Sequence, residues 1–321
     1  MFFPFEAAIG TDLAAPVSDV WFSQHILRPL TWRSLMEQRI VDLWDEFTHG
    51  GMDRRDFMQR LAGMVGGMSG AVALLPSLEN DYARVPVVSP DHPSIRVQYV
   101  SYAGPSGDVR AYNAAPTGGG THPAVMVIHE NRGLNPHIED IARRAAAAGF
   151  WAIAPDALSP LGGTPDDTDT ARSRMRELDP NQTLGDFVAG ATFAANHAGT
   201  NGRVGCVGFC WGGGMANSLA VNSADLNAAV AFYGRQPATA DVPKIRAALL
   251  LHYAELDERI NAGIADYEAA LEAAGVEFTV HMYEGVNHAF HNDTSATRYD
   301  EAAAKLAWSR TIEFFKTYLK A

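Results

Sequence analysis

The residue best suited to nucleophilic chemistry is Cys210, in the segment Gly208–Gly212 (Gly-Phe-Cys-Trp-Gly). The surrounding pattern predicts a strand that ends just before this segment and a helix that begins just after it. Glycines on both sides permit the tight strand-to-helix turn that lifts a nucleophile above a sheet. A helix N-terminus also stabilises a thiolate. We therefore interpret Cys210 as a nucleophile, against the alternative of a small buried side chain.

A cysteine nucleophile requires a base and a carboxylate that orients the base. His288 and Asp257 are predicted for these roles, because each lies in a loop after a predicted strand, where open α/β sheets bind their ligands. Glu255 and Glu258 are the alternative acids. Weaker candidates for the base, which lie within strands or one turn away, are His252, His281 and His291.

The second cysteine, Cys206, lies within the predicted strand and is interpreted as an ordinary buried side chain. The two cysteines are four residues apart, whereas a structural disulfide normally closes a longer loop. No further cluster of Cys or His stands at the spacing of metal ligands. We predict neither a metal nor a cofactor.

The composition of the chain limits the classes of molecule that it is expected to bind. The chain has 321 residues and a formal net charge of −12, which disfavours nucleic acid because phosphate binding relies on clustered Lys and Arg. No apolar run reaches the roughly 20 residues that span a bilayer. A small-molecule substrate is the expected partner, and the sequence does not predict the oligomeric state.

Residues 1–83 are predicted to form a separate N-terminal helical segment that resembles a twin-arginine export signal. Arg54 and Arg55 precede Phe57 and the uncharged run 61–75, and residues 80–83 offer a cleavage region. About 50 residues precede the arginines, which is unusually long for such a signal. Because of the resemblance to an export signal, the expected location is the periplasm. The alternative is a cytoplasmic protein in which this segment is a surface helical hairpin.

From residue 84 to residue 321 the pattern changes to alternating strands and helices. Short apolar runs such as 124–129 and 248–252 are typical of strands buried on both faces. Amphipathic or alanine-rich helical stretches separate them, and a long helix over 299–318 closes the chain. This order predicts an α/β domain, with a mostly parallel central sheet and helices on both faces.

Residues 97–318 resemble the dienelactone hydrolase (carboxymethylenebutenolidase) family of the α/β-hydrolase superfamily. The resemblance rests on the separations between Cys210, Asp257 and His288, and on the segment 129–133 (His-Glu-Asn-Arg-Gly). It implies the α/β-hydrolase fold with a Cys-His-Asp triad. It also implies that Glu130 holds the resting cysteine as a thiol and that Asn131 supplies an oxyanion-hole N–H. The alternative for Glu130 is a surface carboxylate paired with Arg132 or Arg143.

The second oxyanion donor follows from the nucleophile itself, since the N–H after it belongs to Trp211. The expected reaction is hydrolysis of a small ester or lactone. His288 takes the thiol proton, Cys210 attacks the carbonyl, and water releases the acid from an acyl-cysteine. A thioesterase or acyltransferase on the same triad, and a non-catalytic protein that binds or senses through a reactive thiol, are the alternatives.

The sequence departs from the family where a substrate carboxylate is bound. Four residues after the triad histidine the family has an arginine, whereas this chain has Asn292. We therefore expect a preference for substrates without a free carboxylate. The arginines that could compensate are Arg172, Arg174 and Arg176.

Overall fold

The computed structural model describes residues 32–320, with side chains from residue 36 onward. The predicted N-terminal segment 1–83 therefore lies partly outside the described residues. Its described part contains three helices, α1 (Trp32–His49), α2 (Arg54–Val65) and α3 (Met68–Leu78). The uncharged run 61–75 is broken at Gly66 and Gly67, which both have positive φ. Because Gly adopts such angles without steric cost, the chain turns sharply here.

An eight-stranded sheet forms the centre of the rest of the chain. Its strands are β1 (Ile95–Gly104), β2 (Gly107–Pro116), β3 (His122–Ile128), β4 (Trp151–Pro155), β5 (Thr200–Phe209), β6 (Leu226–Phe232), β7 (Ala248–Ala254) and β8 (Phe278–Tyr283). The helices around it are α4 (Pro136–Ala147), α5 (Thr168–Met175), α6 (Pro180–Asn196), α7 (Trp211–Asn222), α8 (Glu258–Asn261), α9 (Ile264–Ala274) and α10 (Glu301–Tyr318).

The strands follow the spatial order β1-β2-β4-β3-β5-β6-β7-β8. β1 and β2 form an antiparallel hairpin, β2 is antiparallel to β4, and the pairings from β4 to β8 are parallel. The parallel strands therefore share one carboxyl edge, and the loops that leave it are brought together. The predicted fold, a mostly parallel sheet of the α/β-hydrolase type with N-terminal helices, is confirmed.

Two apolar cores lie on the two faces of the sheet. One contains Phe187 of α6 and Leu219 of α7. The other contains Ile141 of α4 and Phe315 of α10. The central strands contribute to both cores because successive side chains of a strand point to opposite faces. This explains why β3 and β7 are almost wholly apolar in sequence.

The N-terminal helices have a small core of their own, which includes Trp44, Phe47, Phe57 and Leu61. We call residues 36–78 the N-terminal module. No single helix among residues 32–320 is long and apolar enough to cross a membrane. α2 and α3 would pass that test together, but they meet at a bend of 109°.

The C-terminal end of α1 docks on the hydrolase domain through polar contacts. Arg172 donates to the carbonyl of Phe47, and Asn131 Nδ2 donates to the carbonyl of Thr48 at 2.9 Å. The last carbonyls of a helix have no partner within the helix, so these donors satisfy groups that would otherwise need water. The module is thus held directly above the carboxyl edge of the sheet.

Candidate active site

Cys210 occupies the turn between β5 and α7, with φ 56° and ψ −113°. Such angles are rare outside glycine, and a strained turn of this kind presents a side chain at the edge of a sheet. Gly208 and Gly212 make the turn possible. A Cβ at Gly208 would lie 1.8 Å from the carbonyl oxygen of Gly212, and one at Gly212 would lie 2.4 Å from that of Ile128. The segment therefore requires glycine at both positions.

The structure brings His288 and Asp257 together beside this turn. Asp257 follows β7, His288 follows β8, and Asp257 Oδ2 lies 2.5 Å from His288 Nδ1. Both residues are buried. Nε2 of His288 forms no hydrogen bond of normal geometry with a described residue, and a ring nitrogen of His288 lies within 4.8 Å of Cys210 Sγ. Asp257 thus orients the imidazole through Nδ1, and Nε2 is available for proton transfer.

The alternative acids and bases have other contacts. Glu255 is exposed and accepts from the N–H of Gly285 at 2.7 Å, so it ties two loops together. His252 is buried and contacts Thr311 and Tyr283. Glu258 is exposed and is not part of the pair that Asp257 forms with His288. The ring of His281 stacks on that of His252, and the ring of His291 stacks on that of Phe209.

Cys206 lies within β5, between β3 and β6, and is fully buried. Burial raises the pKa of its thiol, so it stays protonated and unreactive at neutral pH. Cys210 differs because it lines a pocket. The two cysteines therefore occupy the contrasting environments that the sequence predicts.

A histidine that the sequence did not single out contacts the sulfur. His49, the last residue of α1, places Nε2 3.1 Å from Cys210 Sγ. Its ring also lies edge-on to that of His288, with 4.6 Å between the centroids. No local pattern connects residue 49 with residue 210. Only the docking of α1 reveals the contact.

The charges around Cys210 favour its thiolate. Burial would raise the pKa of the thiol, but His49 and then His288 outweigh burial and lower it to about 6. The pKa of His288 is raised well above its usual value. Burial opposes this, whereas Asp257, Asp45 and Cys210 favour the protonated imidazole. A thiolate beside protonated imidazole is the expected resting state at pH 7.

Glu130 is only 4% exposed, so the surface-carboxylate alternative is wrong. It follows β3 and borders, with Cys210 and His288, a small cavity. Its Oε2 accepts from Asn292 Nδ2 at 2.7 Å, and no hydrogen bond joins it to Cys210 among the described residues. The contact with sulfur that the resemblance implies for Glu130 is made here by His49.

The two predicted oxyanion donors line the main pocket. Neither the N–H of Trp211 nor that of Asn131 donates to another described residue. Trp211 begins α7, where the first N–H groups of a helix have no partner within the helix. Its ring stacks on His129, 5.2 Å between centroids. These N–H groups are thus available to a substrate oxygen.

The main pocket has a volume of about 550 Å³ and is lined by Cys210, His288, His49 and Tyr233. Its size suits a small molecule. Four arginines also line it, namely Arg172, Arg176, Arg235 and Arg259.

Two of these arginines are engaged by the N-terminal module. Arg172 donates to the carbonyl of Phe47, and Arg176 donates to that of Gly50 at 2.7 Å. Exposed Arg235 and Arg259 form no side-chain hydrogen bond or ion pair with another described residue. The pocket therefore offers guanidinium groups to an anion.

Asn292 does not line this pocket, because it is fully buried and engaged with Glu130 and Thr294. Arg174, one of the three proposed compensating residues, donates to the carbonyl of Leu161 instead. The expected preference for uncharged substrates rested on Asn292. That preference stays a prediction, and Arg235 and Arg259 offer a substrate carboxylate a partner other than residue 292.

Two groups of side chains are close enough to share a metal ion. One is His49, Cys210 and His288, and the other is Asp45, Asp257 and His288. In the second group His288 and Asp257 already pair with each other.

The sheet topology and the carboxyl-edge site define an α/β-hydrolase. The chain belongs to the dienelactone hydrolase family, whose model matches residues 109–319. A second, YqhI-like family model matches residues 34–66, within the N-terminal segment. The chain is therefore a carboxylic ester hydrolase of the dienelactone hydrolase type, with an additional N-terminal element.

Similar proteins support this membership. Protein usf of Aquifex pyrophilus is 37% identical over 66% of this chain and 94% of its own length. A protein of Escherichia coli O157:H7 named "Putative carboxymethylenebutenolidase" is 32% identical over 72% of this chain and 90% of its own length. A solved Klebsiella pneumoniae structure, described as a "Putative Dienelactone Hydrolase", is 30% identical, with a TM-score of 0.63 over 70% of this chain and 99% of its own.

Proposed function

We propose that this protein hydrolyses a small ester or lactone through an acyl-cysteine intermediate on the triad Cys210, His288 and Asp257. The observation that carries the proposal is the meeting of a strained cysteine turn with a carboxylate-oriented imidazole at one pocket. This combination supports nucleophilic catalysis, because the nucleophile, the base and the orienting group are all present.

The chemistry proceeds in two halves. The Cys210 thiolate attacks the carbonyl carbon, and the N–H groups of Trp211 and Asn131 stabilise the oxyanion. Protonated His288 gives its proton to the departing alkoxide, which leaves as the alcohol. His288 then takes a proton from water, and the resulting hydroxide attacks the thioester. The acid is released and Cys210 returns to the thiolate, so one water is consumed per ester.

The pocket supports a small substrate that carries an anionic group. Its volume is about 550 Å³, and Arg235 and Arg259 face it without partners among the described residues. The names of the similar proteins, including "Putative carboxymethylenebutenolidase", agree with a lactone. We propose a lactone or ester with a carboxylate near the reacting carbonyl.

The test compares Cys210→Ala with Cys206→Ala on aryl esters and on lactones with and without a carboxylate. We expect Cys210→Ala to lower kcat by at least about a thousandfold, since loss of a nucleophile removes the covalent route. Cys206→Ala is the matched control and should retain most activity, because that thiol lies inside the sheet. Equal activity of Cys210→Ala and wild type would refute the triad.

The same experiment separates the alternatives. A thioesterase or acyltransferase would also depend on Cys210, but it would favour thioesters, or transfer the acyl group to an added alcohol or amine in preference to water. A thiol sensor would be alkylated at Cys210 and would hydrolyse no ester above the background rate.

A further inference from the structure

The N-terminal module places a second acid-backed histidine on the nucleophile. His49 Nε2 lies 3.1 Å from Cys210 Sγ. His49 Nδ1 lies 3.1 Å from the carbonyl oxygen of Asp45 and 3.6 Å from its carboxylate Oδ2. The arrangement parallels Asp257 and His288 on the other side of the sulfur.

The contacts determine which nitrogen of His49 carries a proton. Nδ1 lies 3.1 Å from both the carbonyl oxygen of Asp45 and Thr48 Oγ1. Because Thr48 Oγ1 gives its own proton to that carbonyl at 3.2 Å, and the carbonyl can only accept, we assign Nδ1 as a donor. In the neutral ring, Nε2 then has its lone pair directed at Cys210 Sγ. A lone pair at 3.1 Å from a thiol can accept the thiol proton.

Two features stabilise the imidazolium that results. His49 lies in the last turn of α1, where the helix dipole favours a positive charge. The Asp45 carboxylate is near Nδ1 and is also held by Arg298 at 3.3 Å. Burial would raise the pKa of Asp45, but nearby cationic side chains, His288 first, lower it to about 2. Asp45 is thus a carboxylate throughout the neutral pH range.

Resting on the function proposed above, we propose that His49 is a further catalytic residue, which takes the thiol proton of Cys210 and keeps His288 free for the substrate. The S–H bond breaks, the Nε2–H bond forms, and the thiolate and imidazolium remain as an ion pair. Asp45 is a positioning residue that holds and compensates His49.

Nε2 of His288 forms no hydrogen bond of normal geometry with a described residue and is left for the substrate. With His49 on the sulfur, His288 handles the leaving group and then the water. In this proposal His49 takes the thiol proton that the sequence analysis assigns to His288, and the two imidazoles have separate tasks.

The charged and titratable groups around the sulfur come from several elements. Among the described residues they are His49 and Asp45 of α1, Glu130 and Arg132 after β3, Arg172 and Arg176 in and after α5, Tyr233 and Arg235 after β6, Asp257 and Arg259 after β7, His288 after β8 and Arg298 before α10. Because His288 and Glu130 remain in a His49 variant, a change in thiol ionisation reports on His49 itself.

The experiment measures the rate at which iodoacetamide alkylates Cys210 against pH, with the modified peptide mapped by mass spectrometry. The wild type should show a midpoint near pH 6. In His49→Gln the midpoint should rise by at least about one pH unit, so that alkylation at pH 6 slows at least about fivefold. Asp45→Asn should shift it less in the same direction, and exposed His92→Gln is the matched control that leaves it unchanged.

Chemical rescue separates a proton-transfer role from a structural one. His49→Ala leaves a space beside the sulfur that opens to the main pocket, which added imidazole can enter. Imidazole should restore the wild-type midpoint in His49→Ala. An unshifted midpoint in His49→Gln, or a shift that imidazole does not reverse, would overturn the proposal. A higher kcat/KM for His49→Gln would also overturn it, because His49 would then be blocking the sulfur.

The two proposals fail differently. If the midpoint depends on His49 but the wild type hydrolyses no ester, the function is wrong and the Cys210–His49 pair stands. If the wild type hydrolyses esters through Cys210 and the midpoint ignores His49, the function stands and this inference is wrong.

Discussion

Cys210 is surrounded by groups of opposite charge whose balance sets its ionisation. Two histidines favour the thiolate, whereas burial and any nearby carboxylate oppose it. Glu130 is the carboxylate on the wall of the small cavity that also holds Cys210 and His288. We therefore expect a charge on Glu130 to act on the sulfur even though its hydrogen bond comes from Asn292.

We predict that Glu130→Gln shifts the rising limb of the pH–kcat/KM profile to lower pH, by roughly half to one unit. The amide removes a negative charge that opposes the thiolate, and its oxygen can still accept from Asn292. The measurement is kcat/KM between pH 4.5 and 9, with exposed Glu313→Gln as the control. An unchanged profile together with an unchanged kcat/KM would show that Glu130 does not act on the sulfur.

At the scale of single residues, the local sequence predicted the site residues that lie in turns and loops directly after strands. The glycines around Cys210 predicted the nucleophile turn. The loops after apolar strands predicted Asp257 and His288, and the structure places the three side chains together. His49 could not be predicted, because its contact depends on how α1 docks. The resemblance puts Asn292 where the family has a carboxylate-binding arginine, but its side chain donates to buried Glu130.

The four arginines of the pocket belong to different elements, and two of them are bonded to the N-terminal module. Arg172 and Arg176, in and just after α5, satisfy carbonyls at and just beyond the end of α1. Arg259 belongs to α8, and Arg235 lies after β6. Since α1 occupies the first pair, an anionic substrate has to use the second.

We predict that the double variant Arg235→Gln/Arg259→Gln lowers kcat/KM for a carboxylated lactone about tenfold more than for its methyl ester. Charge-assisted hydrogen bonds contribute about 1.5–3 kcal/mol against roughly 1 for neutral ones, and 1.4 kcal/mol corresponds to a factor of ten. Arg203→Gln removes a charge near the opposite end of β5 and serves as the control. Equal losses for the two substrates would contradict the role of these arginines.

At this scale the sequence predicted the strands and most helices well, because apolar runs and helical stretches depend on local composition. It did not predict that the 61–75 run is two helices, since the positive φ angles at Gly66 and Gly67 depend on the packing of both. The polar interface between α1 and α5 also has no sequence signature. The two arginines donate there to backbone carbonyls, which every residue carries.

As a whole, the molecule is an α/β-hydrolase whose pocket is completed by an N-terminal module. The module carries its own core and contributes His49 to the site. Export through the paired arginines stays a prediction. In this structure Arg54 pairs with Asp169 and Glu79, and Phe57 is buried in the module's core. Cleavage near residues 80–83 would remove His49, so an exported, cleaved form would have a different active site.

The central claim is that an acyl group passes through Cys210, and rapid quenching tests it most directly. The protein is mixed with p-nitrophenyl acetate, stopped with acid within milliseconds, and analysed by intact mass and peptide mapping. The account predicts one acetyl group on the Cys210 peptide, released by hydroxylamine as a thioester is, and absent from Cys210→Ala. Release of p-nitrophenol with no adduct on Cys210, or undiminished turnover by Cys210→Ala, would contradict it.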